Sequence, residues 1–239
     1  MAEVPDTPLA NPLLDRGPTV RPWVLGDDGQ IHLKKALESP PNFFAILGLP
    51  QRLLLAPDHL DLTFRSLIRA LHPDRFHVNG DDAVALAQRH TALVNDAYRT
   101  LRDFERRATY VVELGAASAT AERYRPTPAL LAEVFEINEQ IDELAAILAQ
   151  DGAGDRSEQR LQLASIAAQC HVERAHVQAQ LVHAAEQWDV AQAESEHGET
   201  TAEQHESVAR SLLRAALGHM NYLDNLIQRV QTTRAATAT

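Results

Sequence analysis

The chain has 239 residues, a formal net charge of −11 and a single cysteine, Cys170. A lone cysteine excludes an intramolecular disulfide and a cysteine-pair metal site, so we expect a reducing compartment, no metal and no other cofactor. Residues 127–239 carry 17 acidic and 7 basic side chains, which argues against nucleic-acid binding by that half because phosphate contacts need a basic face.

Residues 1–40 are predicted to form an irregular N-terminal extension. They contain six prolines and little hydrophobic periodicity. The opening stretch MAEVPDTPLANPLL lacks the basic start and apolar core of a secretory signal, and no apolar run in the sequence reaches the length needed to span a bilayer. We therefore expect a cytoplasmic protein.

Residues 41–114 are predicted to fold as an antiparallel pair of long helices with a short helix at each end. The stretch NFFAILGLP suits a short helix stopped by Gly48. The first long helix is expected to begin at Pro57 and to end before Pro73. A short helix over about Phe104–Leu114 closes the unit. The apolar stripes of the two long helices are Leu60, Phe64, Leu67, Ile68 and Leu71, and Val84, Ala87, Thr91, Val94, Tyr98 and Leu101.

Residues 115–128, GAASATAERYRPTP, have the composition of a linker, and residues 129–239 are predicted to form a three-helix bundle. The sequences DGAGD and ESEHGET separate its helices, of which the second is predicted over about Arg156–Ala193. The predicted seams are Leu130, Val134, Ile137, Ile141, Leu144 and Leu148; then Leu163, Ile166, Cys170, Val177, Leu181 and Trp188; then Val208, Leu212, Ala216, Leu223, Leu226 and Val230. The whole chain is therefore predicted to be all-α.

The stretch RALHPDRF places His72, Pro73 and Asp74 where the first long helix is expected to stop. One interpretation is a catalytic histidine oriented by the aspartate. It is weakened because no serine or cysteine nucleophile lies nearby in sequence and a proline separates the two groups. The other interpretation is a helix stop with an incidental histidine, which the bare tripeptide favours.

The order of the surrounding segments indicates a third interpretation. NFFAILGLP, then a helix ending in LHPDRF, then VNDAYRTLRDFERRATY resembles the J-domain of DnaJ-type co-chaperones over residues 42–110. In that family the His-Pro-Asp loop docks on a DnaK-family ATPase chaperone and stimulates its ATP hydrolysis. The resemblance therefore implies a co-chaperone, not an enzyme, and assigns chaperone binding to His72, Pro73 and Asp74. The positions that match the third-helix pattern of the family are Asn95, Ala97, Tyr98 and Leu101.

Three arginines extend the candidate chaperone-binding surface. Arg65, Arg69 and Arg75 are expected on or near one exposed side of the helix and its loop, where they form a local basic patch in an acidic protein. Such a patch would steer the loop onto an acidic groove of its partner and speed a weak, transient association. The alternative is an ordinary solvated helix face.

The second half resembles the HscB branch of the same family, because ERRATYVVELGA leads directly into LLAEVFEINEQIDEL without a Gly/Phe-rich segment. This resemblance covers residues 42–231. HscB-type proteins bind the iron–sulfur scaffold protein IscU and hand it to HscA, a specialised DnaK-type ATPase. Ala132 departs from the family, in which a larger apolar residue is usual. The scaffold-binding residues that the resemblance implies are Leu131, Ala132, Phe135, Glu136, Glu139, Glu143 and Tyr222.

Helix geometry gives an independent indication for Leu131 and Phe135. At 100° per residue they project roughly 100–140° away from the seam of the first bundle helix, and Glu139 and Glu143 continue the same side. An apolar pair bordered by carboxylates is typical of a partner-docking patch. The alternative is that the pair packs against the linker or the J-domain.

Two further functions stay open on the sequence alone. One is a J-domain co-chaperone that serves a general DnaK and a different client. The other is a purely structural helical adaptor with an inert loop. A metal site is not expected at His171, His176 and His183, because spacings of 5 and 7 on one helix do not bring them together.

Overall fold

The computed structural model describes residues 23–25, 31–33, 42–116, 125–150 and 156–236. Two short strands, β1 (Trp23–Leu25) and β2 (Ile31–Leu33), pair antiparallel, with Trp23 opposite Leu33. The sequence between them, GDDGQ, is rich in residues that favour tight turns. This strand pair lies within the predicted irregular extension 1–40, the rest of which falls outside the described residues. The other regular elements in the described ranges are helices, so the all-α fold class is confirmed, and none of these helices is long and apolar enough to cross a membrane.

The chain divides into two compact units, Met1–Tyr110 and Val111–Thr239. The helices of the first unit are α1 (Phe43–Leu47), α2 (Pro57–Ala70), a 3₁₀ helix (Pro73–Asn79), α3 (Asp81–Arg102) and most of α4 (Phe104–Ala116). Most of the predicted loop between the two long helices is therefore a 3₁₀ helix. α4 crosses the boundary between the units and ends two residues inside the predicted linker, whose residues 117–124 lie outside the described part of the chain.

Local signals in the sequence account for the ends of the first two helices. The side chain of Asn42 accepts a hydrogen bond from the Phe44 N–H at 2.9 Å, which caps the start of α1. Gly48 ends α1 with a φ of 67°, a backbone conformation that glycine adopts without strain. α2 begins with Pro57, because the missing N–H of proline costs nothing at the first helical position.

The contacts between α2 and α3 run in antiparallel order. Near the start of α2, Asp61 and Phe64 both contact Tyr98, which lies near the end of α3. Just past the end of α2, Leu71 accepts a hydrogen bond from Thr91 in the middle of α3. Every member of the two predicted stripes is buried or half-buried. Their fully buried members are Leu60, Leu67, Leu71, Ala87, Val94 and Leu101, and the half-buried ones are Phe64, Ile68, Val84, Thr91 and Tyr98.

A buried arginine joins α4 to this core. Arg107 is only 6% exposed, and its Nε donates a hydrogen bond to the Leu53 carbonyl at 2.8 Å. The same guanidinium donates to the Leu101 carbonyl, one of the last in α3 and therefore without a partner inside its own helix. Its charged group also lies over the ring of Phe104, 5.6 Å from the centroid. Arg107 thus supplies hydrogen bonds to backbone carbonyls that would otherwise be buried without a partner.

The second unit is a three-helix bundle of α5 (Pro128–Leu148), α6 (Ser157–Glu196) and α7 (Ala202–Ala236). α5 contacts both other helices, and α6 packs antiparallel against α7. Near the turn that joins α6 to α7, Nδ1 of His205 lies 2.6 Å from Oε2 of Glu194. Farther from that turn, Nε of Arg174 lies 2.5 Å from Oδ1 of Asp224. The predicted seam of α6 is confirmed, since all six of its residues are buried. The predicted break at DGAGD lies outside the described residues.

The predicted seam of α7 is wrong at its beginning. Val208 and Leu212 are 57% and 43% exposed, whereas their neighbours Ala209 and Leu213 are buried. Because alanine contributes little to a hydrophobic pattern, the prediction assigned the seam to the larger Val208, one residue before the buried Ala209. Seven buried positions follow an unbroken alternation of four- and three-residue steps: Ala209, Leu213, Ala216, Met220, Leu223, Ile227 and Val230. The predicted seam residue Leu226 is buried beside them.

Candidate functional site

The His-Pro-Asp tripeptide forms the start of the 3₁₀ helix. α2 ends at Ala70, and His72 is extended, with φ −60° and ψ 129°, as expected for a residue that precedes proline. The Nδ1 atom of His72 accepts a hydrogen bond from the Asp74 N–H at 3.4 Å, and its carbonyl accepts one from the Arg75 N–H at 3.0 Å. His72 therefore caps the 3₁₀ helix and gives the tripeptide a defined shape.

The carboxylate of Asp74 lies between two imidazoles. One oxygen is 3.5 Å from Nδ1 of His72 and the other is 3.6 Å from Nε2 of His77. The side chains of His72 and Asp74 are 54% and 77% exposed, so neither belongs to the core. Because Nδ1 of His72 accepts the Asp74 N–H, it is not also a donor to this carboxylate, and with both side chains exposed the carboxylate stays accessible to a partner. The buried ring of Phe76 anchors the same 3₁₀ helix to the first unit.

The three arginines of the predicted basic patch are all exposed. Arg65 and Arg69 lie one turn apart on α2, and Arg75 lies in the 3₁₀ helix. The sequence-based prediction did not include Leu62, which is 66% exposed and lies one turn before Arg65 and two before Arg69. An isolated exposed leucine gives no sequence signal, because it differs from a core leucine only in the face on which the fold places it.

The second group of predicted residues lies on α5 and α7. Leu131 and Phe135 are 48% and 64% exposed, although α5 buries Leu130, Ile141, Leu144 and Leu148 on its seam. Ala132, Glu136, Glu139 and Glu143 are exposed along α5, and Tyr222 is half-buried on α7. α5 thus presents two large apolar side chains to solvent beside a row of carboxylates.

Polar contacts hold α5 against α7 and fix which way this exposed face points. Arg229 of α7 donates hydrogen bonds to the side chains of Asn138 and Asp142 of α5. Asn138 also donates to the Val134 carbonyl at 2.8 Å within α5, which orients its side-chain oxygen toward Arg229. These contacts were not predicted from the sequence, because they depend on the relative rotation of two helices.

No candidate metal site is found in the part of the chain that the structure describes. Among residues 42–116, 125–150 and 156–236, no three His, Cys, Asp or Glu side chains are grouped so that they could hold a metal ion. Cys170 is buried on the seam of α6. Its burial, and secondarily the charge of Glu133, raise the pKa of its thiol above the ordinary value.

Comparison with known proteins identifies co-chaperones among the relatives of this chain, although no protein-family model matches the sequence. A curated protein from Cupriavidus taiwanensis, called Co-chaperone protein HscB homolog, is 39% identical over 103 residues. The match covers 43% of this chain and 58% of that relative. A protein of the same name from Burkholderia mallei is 34% identical over 133 residues, which are 53% of this chain and 76% of the relative. A solved structure, chaperone HscB from Vibrio cholerae, is 23% identical with a TM-score of 0.49, over 82% of this chain and 99% of that one.

Proposed function

This chain belongs to the HscB family of co-chaperones, and from that premise we propose that it binds an IscU-type iron–sulfur scaffold protein and delivers it to a DnaK-family chaperone of the HscA type. In this proposal it stimulates the ATPase of that chaperone during iron–sulfur cluster assembly and transfer. It carries out no catalysis of its own, needs no cofactor and acts in the cytoplasm. Residues 41–114 serve as the J-domain and residues 129–239 as the scaffold-binding domain.

The observation that carries the proposal is the exposed, shaped tripeptide at the end of α2. His72 caps the 3₁₀ helix by accepting the Asp74 N–H, the side chains of His72 and Asp74 are both exposed, and neither contributes to the core. A side chain that is ordered without being buried is available to a partner at a low entropic cost. We assign chaperone binding to His72, Pro73, Asp74, Arg65, Arg69 and Arg75.

The exposed face of α5 supports the second half of the proposal. Leu131 and Phe135 leave about half or more of their surface in contact with solvent, which costs free energy unless a partner covers them. Carboxylates beside them would select a partner with a basic rim. We assign scaffold binding to Leu131, Ala132, Phe135, Glu136, Glu139, Glu143 and Tyr222.

The test combines an ATPase assay with a pull-down. The full-length chain should stimulate ATP hydrolysis by an HscA-type chaperone and should retain an IscU-type scaffold on beads. His72→Gln and Asp74→Asn should abolish the stimulation while leaving scaffold capture intact. His59→Gln is a matched control, because His59 is also exposed but lies in the first turn of α2.

Two outcomes would contradict the proposal. Stimulation by His72→Gln at the level of the unchanged chain would show that the tripeptide is only a helix stop. Stimulation of a general DnaK, together with failure to capture the scaffold, would favour a J-domain co-chaperone with a different client.

A further inference from the structure

We propose that Thr91 is a positioning residue for chaperone docking: from α3 it holds the peptide that connects α2 to the His-Pro-Asp tripeptide. The inference rests on the proposed function, because it explains how the tripeptide is presented to the chaperone. Its basis is a hydrogen bond between two elements, in which the Thr91 hydroxyl donates to the Leu71 carbonyl at 3.2 Å.

The hydrogen bonds around the end of α2 show why this contact is needed. In a continuing helix the Leu71 carbonyl would accept from the N–H of Arg75, or from that of Asp74 if the last turn were 3₁₀. Here the Arg75 N–H donates to the His72 carbonyl at 3.0 Å, and the Asp74 N–H donates to Nδ1 of His72 at 3.4 Å. Both local donors are thus engaged by His72, and Thr91 supplies a donor from the neighbouring helix.

The peptide between Leu71 and His72 is the part of the turn whose conformation proline does not fix. Pro73 fixes its own φ and confines His72 to extended conformations. The next adjustable torsion is ψ of Leu71, which is 8° and lies outside the helical range. Rotation about ψ of Leu71 swings its carbonyl, so a hydrogen bond to that oxygen restrains the direction in which His72 and Asp74 leave the helix.

A positioning role differs from a purely structural one in what it changes. If Thr91 holds the turn in its docking conformation, loss of the bond lowers the fraction of molecules ready to dock. The apparent affinity then falls in proportion to that fraction, while the stimulation reached at saturation is unchanged. A residue that only stabilised the fold would alter the thermal transition and leave the affinity of the folded protein unchanged.

The experiment uses the full-length chain and the ATPase of an HscA-type chaperone, titrated with the co-chaperone. Thr91→Val removes the hydroxyl and keeps the branched shape, and Thr91→Ser keeps the hydroxyl. Thr109→Val is the matched control, since its hydroxyl donates to the Glu105 carbonyl at 2.9 Å within α4. For Thr91→Val we expect the half-maximal concentration to rise measurably, by at most roughly tenfold, with an unchanged plateau, because one hydrogen bond sets the upper limit. Thr91→Ser and Thr109→Val should match the unchanged chain.

Amide hydrogen exchange at Asp74 and Arg75 gives a second readout that needs no partner. Exchange should be faster in Thr91→Val and unchanged in Thr109→Val. The inference is overturned if the half-maximal concentration of Thr91→Val equals that of the unchanged chain, whether or not exchange is faster. If the unchanged chain stimulates no chaperone, the proposed function fails instead, and equal exchange rates would then overturn the role of Thr91 in the turn as well. Should Thr91→Val not fold, Thr91→Ala is judged by the same criteria.

Discussion

The phenol of Tyr98 donates a 2.7 Å hydrogen bond to the carboxylate of Asp61, across the helical pair α2 and α3. The ring of Tyr98 also stacks on Phe64, with centroids 3.9 Å apart and planes inclined by 13°. The hydrogen bond to Asp61, followed by burial, raises the pKa of Tyr98 above its ordinary value of 10.0. The pair therefore clamps the helices at the end that lies away from the His-Pro-Asp tripeptide.

Tyr98→Phe should destabilise the first unit by about 1 kcal/mol, the usual net contribution of one partly exposed hydrogen bond. The stacking on Phe64 is kept, so the loss isolates the hydroxyl. Urea unfolding of the full-length chain measures it. In a double-mutant cycle with Asp61→Ala, which removes the acceptor, the two effects should not add, and additive effects would show that the two groups do not interact.

The same pair predicts a dependence on alkaline pH. Because the folded state raises the pKa of Tyr98, the unfolded state loses the phenolic proton first as the pH rises. The stabilisation is therefore fully present below the ordinary pKa of 10.0 and is lost as the pH rises through the folded-state pKa. The difference in stability between the unchanged chain and Tyr98→Phe should be constant from pH 7 to about 9 and should shrink above about 10. A difference that grows with pH would contradict this.

Leu131→Ala with Phe135→Ala should leave the bundle almost as stable as before, because both side chains are largely exposed. Capture of the scaffold should weaken by more than tenfold, since two central apolar contacts are typically worth about 2 kcal/mol or more. Ile141→Ala is the matched control on the buried side of α5, and should cost roughly 2–5 kcal/mol of stability. Unchanged scaffold affinity in the double variant would remove this face from the proposed binding surface.

Glu139→Lys should weaken scaffold capture further, and more strongly at low salt. The new positive charge would face the basic rim expected on the scaffold. Added salt weakens this repulsion, because exposed charges farther apart than the Debye length, about 10 Å at 0.1 M, are largely screened from each other. Binding measured at several salt concentrations tests this. An effect of Glu139→Lys that does not vary with salt would indicate that the carboxylate row plays no electrostatic part.

Two adjacent leucines of α7 should respond very differently to truncation. Leu213 is buried on the seam and Leu212 is 43% exposed. Leu213→Ala should therefore cost roughly 2–5 kcal/mol, and Leu212→Ala well under half of that. Thermal or urea unfolding of the two variants measures both losses of stability. Equal losses would mean that α7 is rotated about its axis relative to the arrangement given above.

A fragment of residues 41–116 should fold alone and stimulate the chaperone without capturing the scaffold. It contains α1 to α4, including Arg107, whose guanidinium satisfies the Leu53 and Leu101 carbonyls. A shorter fragment, 41–102, lacks that arginine and should be unfolded or unstable by circular dichroism. Stable folding of the shorter fragment would contradict the role given to Arg107, and insolubility of the longer one would contradict an independent J-domain.

Most of the helical framework could be predicted from the sequence because the apolar stripes are regular. The stripes of α2, α3, α5 and α6 repeat at helical spacing, and Pro57 and Gly48 mark helix ends. What escaped prediction depends on tertiary contacts. Arginine is usually a surface residue, and Arg107 can be buried because it donates hydrogen bonds to carbonyls elsewhere in the chain.

The candidate site shows the same division. Pro73 alone predicts that α2 stops, and the surrounding segments indicate the J-domain. The cap by His72, the second imidazole at His77 and the hydrogen bond from Thr91 arise only when the backbone turns and α3 packs beside it. Leu131 and Phe135 could be placed off the seam because one straight helix determines their direction.

The burial of Cys170 means that the reactivity of its thiol can report transient opening of the three-helix bundle. As the single thiol, it is the one site that a maleimide can label. Its burial on the seam of α6 blocks reaction in the closed bundle, and its raised pKa lowers the reactive thiolate fraction. Labelling must therefore wait for a transient separation of the helices, and its rate equals the open fraction multiplied by the rate of a free thiol. A partner that binds α5 and α7 at the same time would slow the labelling of Cys170, so its binding could be followed on the unmodified protein without any engineered probe.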